Sequence, residues 1–205
     1  MCKLHTVAFR AVALAALAAL AGCSRKDVAE ASPAKPGPPS EAAPVAKLTL
    51  TSSSFPANGP IPAKHTCEGA EVSPALAWSD PPPATKSLAV VVSDPDAPDP
   101  AAPKQVFVHW VLYDIAPSTR EVAEGARSAA DVGGTARDGK NDFGQTGWKG
   151  PCPPKGRHRY VHEVYALDAV LPDLERPTKG DLEKAMRGHV IAKGELIGTY
   201  EKSAK

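Results

Sequence analysis

The segment Gly150-Pro151-Cys152-Pro153-Pro154-Lys155-Gly156-Arg157-His158-Arg159-Tyr160 gathers residues that can bind a small polar ligand. Glycine and proline set a stiff loop whose backbone can come close to a ligand. His158 and Tyr160 follow it, two residues apart, at the start of a segment rich in β-branched and aromatic residues that runs to Leu167. Such a segment predicts a strand. Side chains two apart on a strand share a face, roughly 7 Å apart. His158 and Tyr160 are therefore expected to line one pocket, and both can donate hydrogen bonds. Loop amides with an imidazole and a phenol suit an oxyanion such as a phosphate or carboxylate.

Two further stretches carry polar groups in apolar surroundings. Asp94-Pro95-Asp96-Ala97-Pro98 follows the apolar run Leu88 to Val92, so a buried strand ends in a stiff acidic turn. The run Gln105 to Tyr113 predicts another strand with His109 at its centre. On its own, a histidine there reads as a hydrogen-bonded core residue. Asp94 and Asp96 can close their turn through side-chain to backbone hydrogen bonds. Placed beside an imidazole, an acid orients the ring and favours its protonated form, which offers two donors to an anion. Asp94 and Arg159 are candidates for an ion pair behind the pocket.

The DPDAP turn, the His109-Trp110 strand, the segment Asn141-Asp142-Phe143-Gly144 and the loop-strand from Gly150 to Tyr160 occur together in that order. Gly188-His189 and the closing Gly194 to Tyr200 complete the set. This ordered set resembles the phosphatidylethanolamine-binding protein family, also called Raf kinase inhibitor-like proteins, over roughly Leu48 to Glu201. The resemblance implies a mainly β fold, with a large antiparallel sheet, a smaller sheet and peripheral helices. It implies a pocket built from Asp94, Asp96, His109, Gly150, Pro151, His158 and Tyr160. The activity it implies is binding of a phosphate-bearing small molecule or phospholipid headgroup, with no cofactor and no catalysis. This sequence departs from the family at His162, where an aromatic or aliphatic residue is usual. It departs again at Val106-Phe107-Val108, where many relatives place tryptophan near the pocket mouth.

Other elements agree with a β-rich domain. Lys47 to Thr51 alternates like a half-buried strand, and Leu76 to Trp78 is a short strand followed by a proline-rich turn. Strands separated by proline-rich turns suggest a sandwich-like core. Thr178 and Asp181 have the spacing of a capping box. Leu182, Ala185, Met186, His189 and Val190 then share one helical face, with His189 expected to pack there. Ala192 to Glu201 reads as the last strand. His65 has no assigned role.

The N-terminus points to export. Lys3 and Arg10 precede an uninterrupted Ala, Val and Leu run from Ala11 to Ala21. This is too short to span a bilayer and right for a signal-peptide core. It ends in Leu20-Ala21-Gly22-Cys23, which resembles the bacterial lipobox, so residues 1–22 are expected to be removed and Cys23 lipidated. Ordinary secretory cleavage with an incidental cysteine is the alternative. Residues 23–46 carry many prolines and no aromatic residue, and read as a disordered tether. Residues 47–205 form one domain. Ser24 after the lipidated cysteine favours the outer membrane by resemblance to enterobacterial sorting, so the expected place is the bacterial cell envelope. Loss of Lys3 and Arg10 moves the formal net charge from +1 to −1. With no basic run, nucleic acid is not an expected partner.

Export also bears on the thiols. With Cys2 removed and Cys23 lipidated, Cys67 and Cys152 remain, and an oxidising compartment favours a disulfide between them. A free Cys152 near His158 would instead mimic a nucleophilic Cys-His pair, the basis of a hydrolase reading. No GxSxG elbow is present. His158 and His162 are four apart, roughly 13 Å on a strand, too far for one ion, so no metal is expected. The first expectation is a lipid-anchored binding protein. The second is an inhibitor or modulator of an envelope enzyme such as a protease.

Overall fold

The computed structural model describes residues 44–203. The expected signal peptide, the expected lipidation site Cys23 and the expected tether up to residue 43 lie outside the described residues. In chain order the strands are β1 (Ala46–Lys47), β2 (Leu50–Thr51), β3 (Leu76–Trp78), β4 (Ser87–Asp94), β5 (Phe107–Ile115), β6 (Glu121–Val122), β7 (Arg137–Asp138), β8 (His158–Leu167) and β9 (Val190–Tyr200). Helix α1 (Ala129–Val132) follows β6, and α2 (Lys179–Met186) precedes β9.

Strand alternation builds two cores on the two faces of one sheet. Strand β4 is buried at every position. Leu88, Val90 and Val92 join one apolar cluster, while Ala89 and Val91 join the other. The same division holds for Trp110 and Leu112 against Val111 and Tyr113, and for Tyr160 and Val164 against Tyr165 and Leu167. Successive side chains point to opposite faces, so a strand buried on both sides reads as a continuous apolar run. The first cluster includes Leu50, Leu76, Trp78 and Val122 from the small sheet. The second includes Leu182 and Met186 from α2.

The large sheet has the order β1-β9-β8-β4-β5-β7, and the small sheet β2-β3-β6. Its central pairs are antiparallel, but β1 pairs with β9 in parallel, so the large sheet is mixed and not wholly antiparallel. The alternating segment Lys47 to Thr51 is not one strand. β1 ends at Lys47 in the large sheet, and β2 begins at Leu50 in the small one.

Helix α2 starts where its capping box requires, with Thr178 accepting from the Asp181 backbone and Asp181 reaching back to the Thr178 N–H. It ends before His189, because Gly188 adopts a positive φ of 83°. His189 is therefore not a packing residue on the helix. It is half exposed, and its Nδ1 lies 2.9 Å from Asp168 Oδ1.

Candidate functional site

The site lies where the C-terminal end of β4 and the N-terminal ends of β5 and β8 meet. A cavity of about 310 Å³ opens there, lined among others by Asp94, Phe107, His109, Phe143, His158 and Tyr160. His158 and Tyr160 are on one face of β8, with ring centroids 6.5 Å apart, as their spacing predicts.

His109 reaches this face through a break in register. Val92 pairs with Trp110, but the next residue, Ser93, pairs with Val108. His109 is thus the extra residue of a β-bulge, which bends the strand locally and re-aims a side chain. Its ring meets Tyr160 edge-on, at 5.2 Å between centroids. Its Nδ1 donates to the Lys149 carbonyl at 2.6 Å. Burial lowers its pKa below the ordinary imidazole value, outweighing the carbonyl bond and nearby acids that act the other way. The neutral ring then presents Nε2 as a lone pair.

Tyr160 is fully buried, and its hydroxyl has no hydrogen-bond partner. Burial, and then the charge of Asp94, push its pKa up. It therefore remains a protonated donor.

His158 has a different job from the one expected. Its Nδ1 meets Asp94 Oδ2 at 2.7 Å, and its Nε2 meets the Lys155 carbonyl at 3.0 Å. Both partners accept, so the ring has no donor left for a ligand. Asp94 Oδ1 also accepts the Asp96 N–H at 2.8 Å, closing the acidic turn. The ion pair expected between Asp94 and Arg159 is replaced by one between Asp96 and Arg159. Asp96 accepts from the Arg159 backbone N–H at 2.8 Å, from Nε at 2.9 Å and from a terminal guanidinium nitrogen at 2.7 Å. The Arg159 hydrogen bonds hold its carboxyl below the usual range, against desolvation.

Of the seven residues expected in the pocket, Asp94, His109, His158 and Tyr160 line the cavity, whereas Asp96, Gly150 and Pro151 do not. Asp96 is occupied by Arg159. Gly150 packs on the strap around residues 63–72, and a Cβ there would fall 2.5 Å from the His65 carbonyl oxygen. The Pro151 carbonyl accepts the Cys67 N–H at 3.1 Å. Cys67 and Cys152 form a disulfide beside this contact, and Cys152 itself borders the cavity. The bonded sulfurs leave no free thiol for a Cys-His nucleophile. Glu71 completes the clamp, accepting from Lys149 Nζ at 3.0 Å and from the Gly150 N–H at 3.2 Å.

Phe107, from the segment that departs from the family at the pocket mouth, and Phe143, to which sequence reasoning gave no pocket role, form the outer wall at 4.9 Å between centroids. The signal for Phe143 was present as a lone aromatic in an Asn-Asp-Phe-Gly turn. His162 is fully buried on the core side of β8, with its ring 5.2 Å from Phe55. Among the described residues, no group of three or more His, Cys, Asp or Glu comes together in a way that could hold a metal. No helix among them is long and apolar enough to cross a membrane.

A two-sheet β protein with a small pocket at the strand ends, floored by one imidazole and one phenol, is a ligand-binding fold. The chain belongs to the phosphatidylethanolamine-binding protein family, whose profile matches residues 51–201. It is 44% identical over 154 residues to a UPF0098 protein of Chlamydia muridarum, covering 75% of this chain and 99% of that protein. A putative phosphatidylethanolamine-binding protein homologue of Chlamydia trachomatis has a similar crystal structure, with a TM-score of 0.69 at 43% identity, covering 77% of this chain and 99% of that one. E. coli YbcL gives the same TM-score of 0.69 at 30% identity, covering 77% of this chain and 100% of that one.

Proposed function

We propose that this chain is a lipid-anchored protein of the bacterial envelope that binds a phosphate-bearing small molecule or phospholipid headgroup and does not transform it. The observation that carries the reading is the buried Tyr160 hydroxyl without a partner, on a ring whose centroid is 5.2 Å from that of His109. A phosphate monoester monoanion suits that pair. Its P–OH donates to His109, and an anionic oxygen accepts from Tyr160. His158 is already held by Asp94, and no lysine or arginine is among the residues lining the cavity, so no such side chain draws in a dianion. The family membership supports the same pocket. The expected export signal and Cys23 support the anchor and the envelope location.

One proton must accompany the bound phosphate, on the ligand or on His109. Phosphate monoesters lose that proton near pH 6, and His109 titrates below the ordinary imidazole value. Affinity should therefore fall by up to about tenfold per pH unit above roughly pH 6.5. Titration calorimetry with phosphoethanolamine from pH 5.5 to 8, in buffers of different ionisation enthalpy, tests this directly. No binding across the range, or binding that strengthens with pH, defeats the pocket reading. Mass spectrometry of the membrane fraction tests the anchor, which requires an acylated N-terminal Cys23.

A further inference from the structure

Phe143 stands in the open at the cavity mouth, 42% exposed, on a turn built to hold it still. Asn141 is buried, and its Oδ1 accepts the N–H of Phe143 and of Gln145, each at 3.1 Å. Its Nδ2 donates to the Gly147 carbonyl at 3.0 Å. Asp142 is fixed to β5 twice. Its N–H donates to the Val108 carbonyl at 3.0 Å, and its Oδ2 accepts the Val108 N–H at 2.8 Å. Gly144 supplies the positive φ of 78° that closes the turn. A phenyl ring left in water forgoes the stabilisation of burial. Fixing it in advance removes the ordering cost from a later binding event.

The ring does not stand alone. Phe143 lies 4.9 Å from Phe107 and 5.6 Å from His109, and Phe107 lies 5.5 Å from His109. These three rings make an aromatic corner continuous with the polar end at His109 and Tyr160. The cavity of about 310 Å³ is much larger than a bare phosphate. That ion has five heavy atoms and needs a few times the ~30 Å³ share of one water. A phosphate at the polar end therefore leaves the aromatic corner unfilled.

We infer that the site selects phosphate monoesters whose ester oxygen carries a compact apolar group, with Phe143 as the specificity-determining residue. This rests on the oxyanion reading proposed above. The phosphate sits at His109 and Tyr160, and the apolar group seats against Phe107 and Phe143. A hydrated ethanolamine arm gains less there than a ring of matching size.

Calorimetry at pH 6 on the full chain should compare inorganic phosphate, phosphoethanolamine and phenyl phosphate. Phenyl phosphate should bind about tenfold more tightly than phosphoethanolamine. Phe143→Ala should shrink that ratio to about twofold, and Phe143→Tyr should keep it, since the aromatic face is retained. Equal affinity for all three ligands overturns the inference and leaves the oxyanion reading standing. So does a preference for phosphoethanolamine, or a ratio that Phe143→Ala does not change. Absence of binding by all three overturns both.

Discussion

Replacing Tyr160 with Phe separates the binding role of this side chain from its structural role. The substitution removes one oxygen from a fully buried ring whose hydroxyl has no protein partner. Burying an unpaired hydroxyl costs about 1–3 kcal/mol on scales drawn from protein mutants. Removing it should leave the ligand-free fold as stable as before, or more stable by about 1 kcal/mol. In a domain of this size, that raises Tm by roughly 2–4 °C. Binding should move the opposite way. A hydrogen bond to a charged oxygen contributes about 1.5–3 kcal/mol, so affinity for phosphoethanolamine should fall by roughly tenfold to a hundredfold. Calorimetric melts of the ligand-free protein and titrations at pH 6 measure the two effects separately. A variant that loses more than about 1 kcal/mol of stability and binds as tightly as the parent would show that the hydroxyl serves the fold. The reasoning would then fail at its first step.

Three other outcomes follow from the same geometry. His158→Ala strips the partner from the buried Asp94 carboxylate, so urea unfolding should show a loss of about 3 kcal/mol or more, and a smaller loss would mean the pair is dispensable. Burial lowers the His162 pKa to about 4, so the folded state binds fewer protons than the unfolded one between there and the ordinary value of 6.5. Its contribution is complete above pH 6.5 and is lost as pH falls towards 4, by about 3 kcal/mol, and His162→Leu should flatten this acid limb of a stability–pH curve. Cys67 and Cys152 are 85 residues apart in sequence, so reduction should cost up to roughly 4.5 kcal/mol in the chain-entropy model, read as a lower urea midpoint in the presence of a dithiol reductant.

Much of the fold was legible because the central strands are written in apolar runs and the turns in Gly and Pro. The period of two placed His158 and Tyr160 together, and the Thr178–Asp181 spacing marked the start of α2. The position of His109 on the cavity face was not legible from alternation. It shares parity with Val111 and Tyr113, which face the other core, and only the bulge brings it round. A one-residue slip changes every facing downstream, and no residue type in Val108-His109-Trp110 announces it. The partner swap between Asp94 and Asp96 was hidden for a related reason. Asp94 meets His158 and Asp96 meets Arg159, and with two acids and two basic residues so close in sequence only side-chain geometry decides which pair forms. Phe143 was passed over because an aromatic in a polar turn gives no periodic signal.

The parallel pairing of β1 fixes which way the cavity faces. Ala46 is opposite Ala192, while Tyr160 is opposite Gly198, further along β9. At about 3.3 Å per residue, entry point and pocket floor are roughly 20 Å apart along the same strand. The chain arrives at one pole of the domain, and the cavity opens at the other. A ligand therefore reaches the cavity at an end of the sheet well away from the point where the chain enters β1.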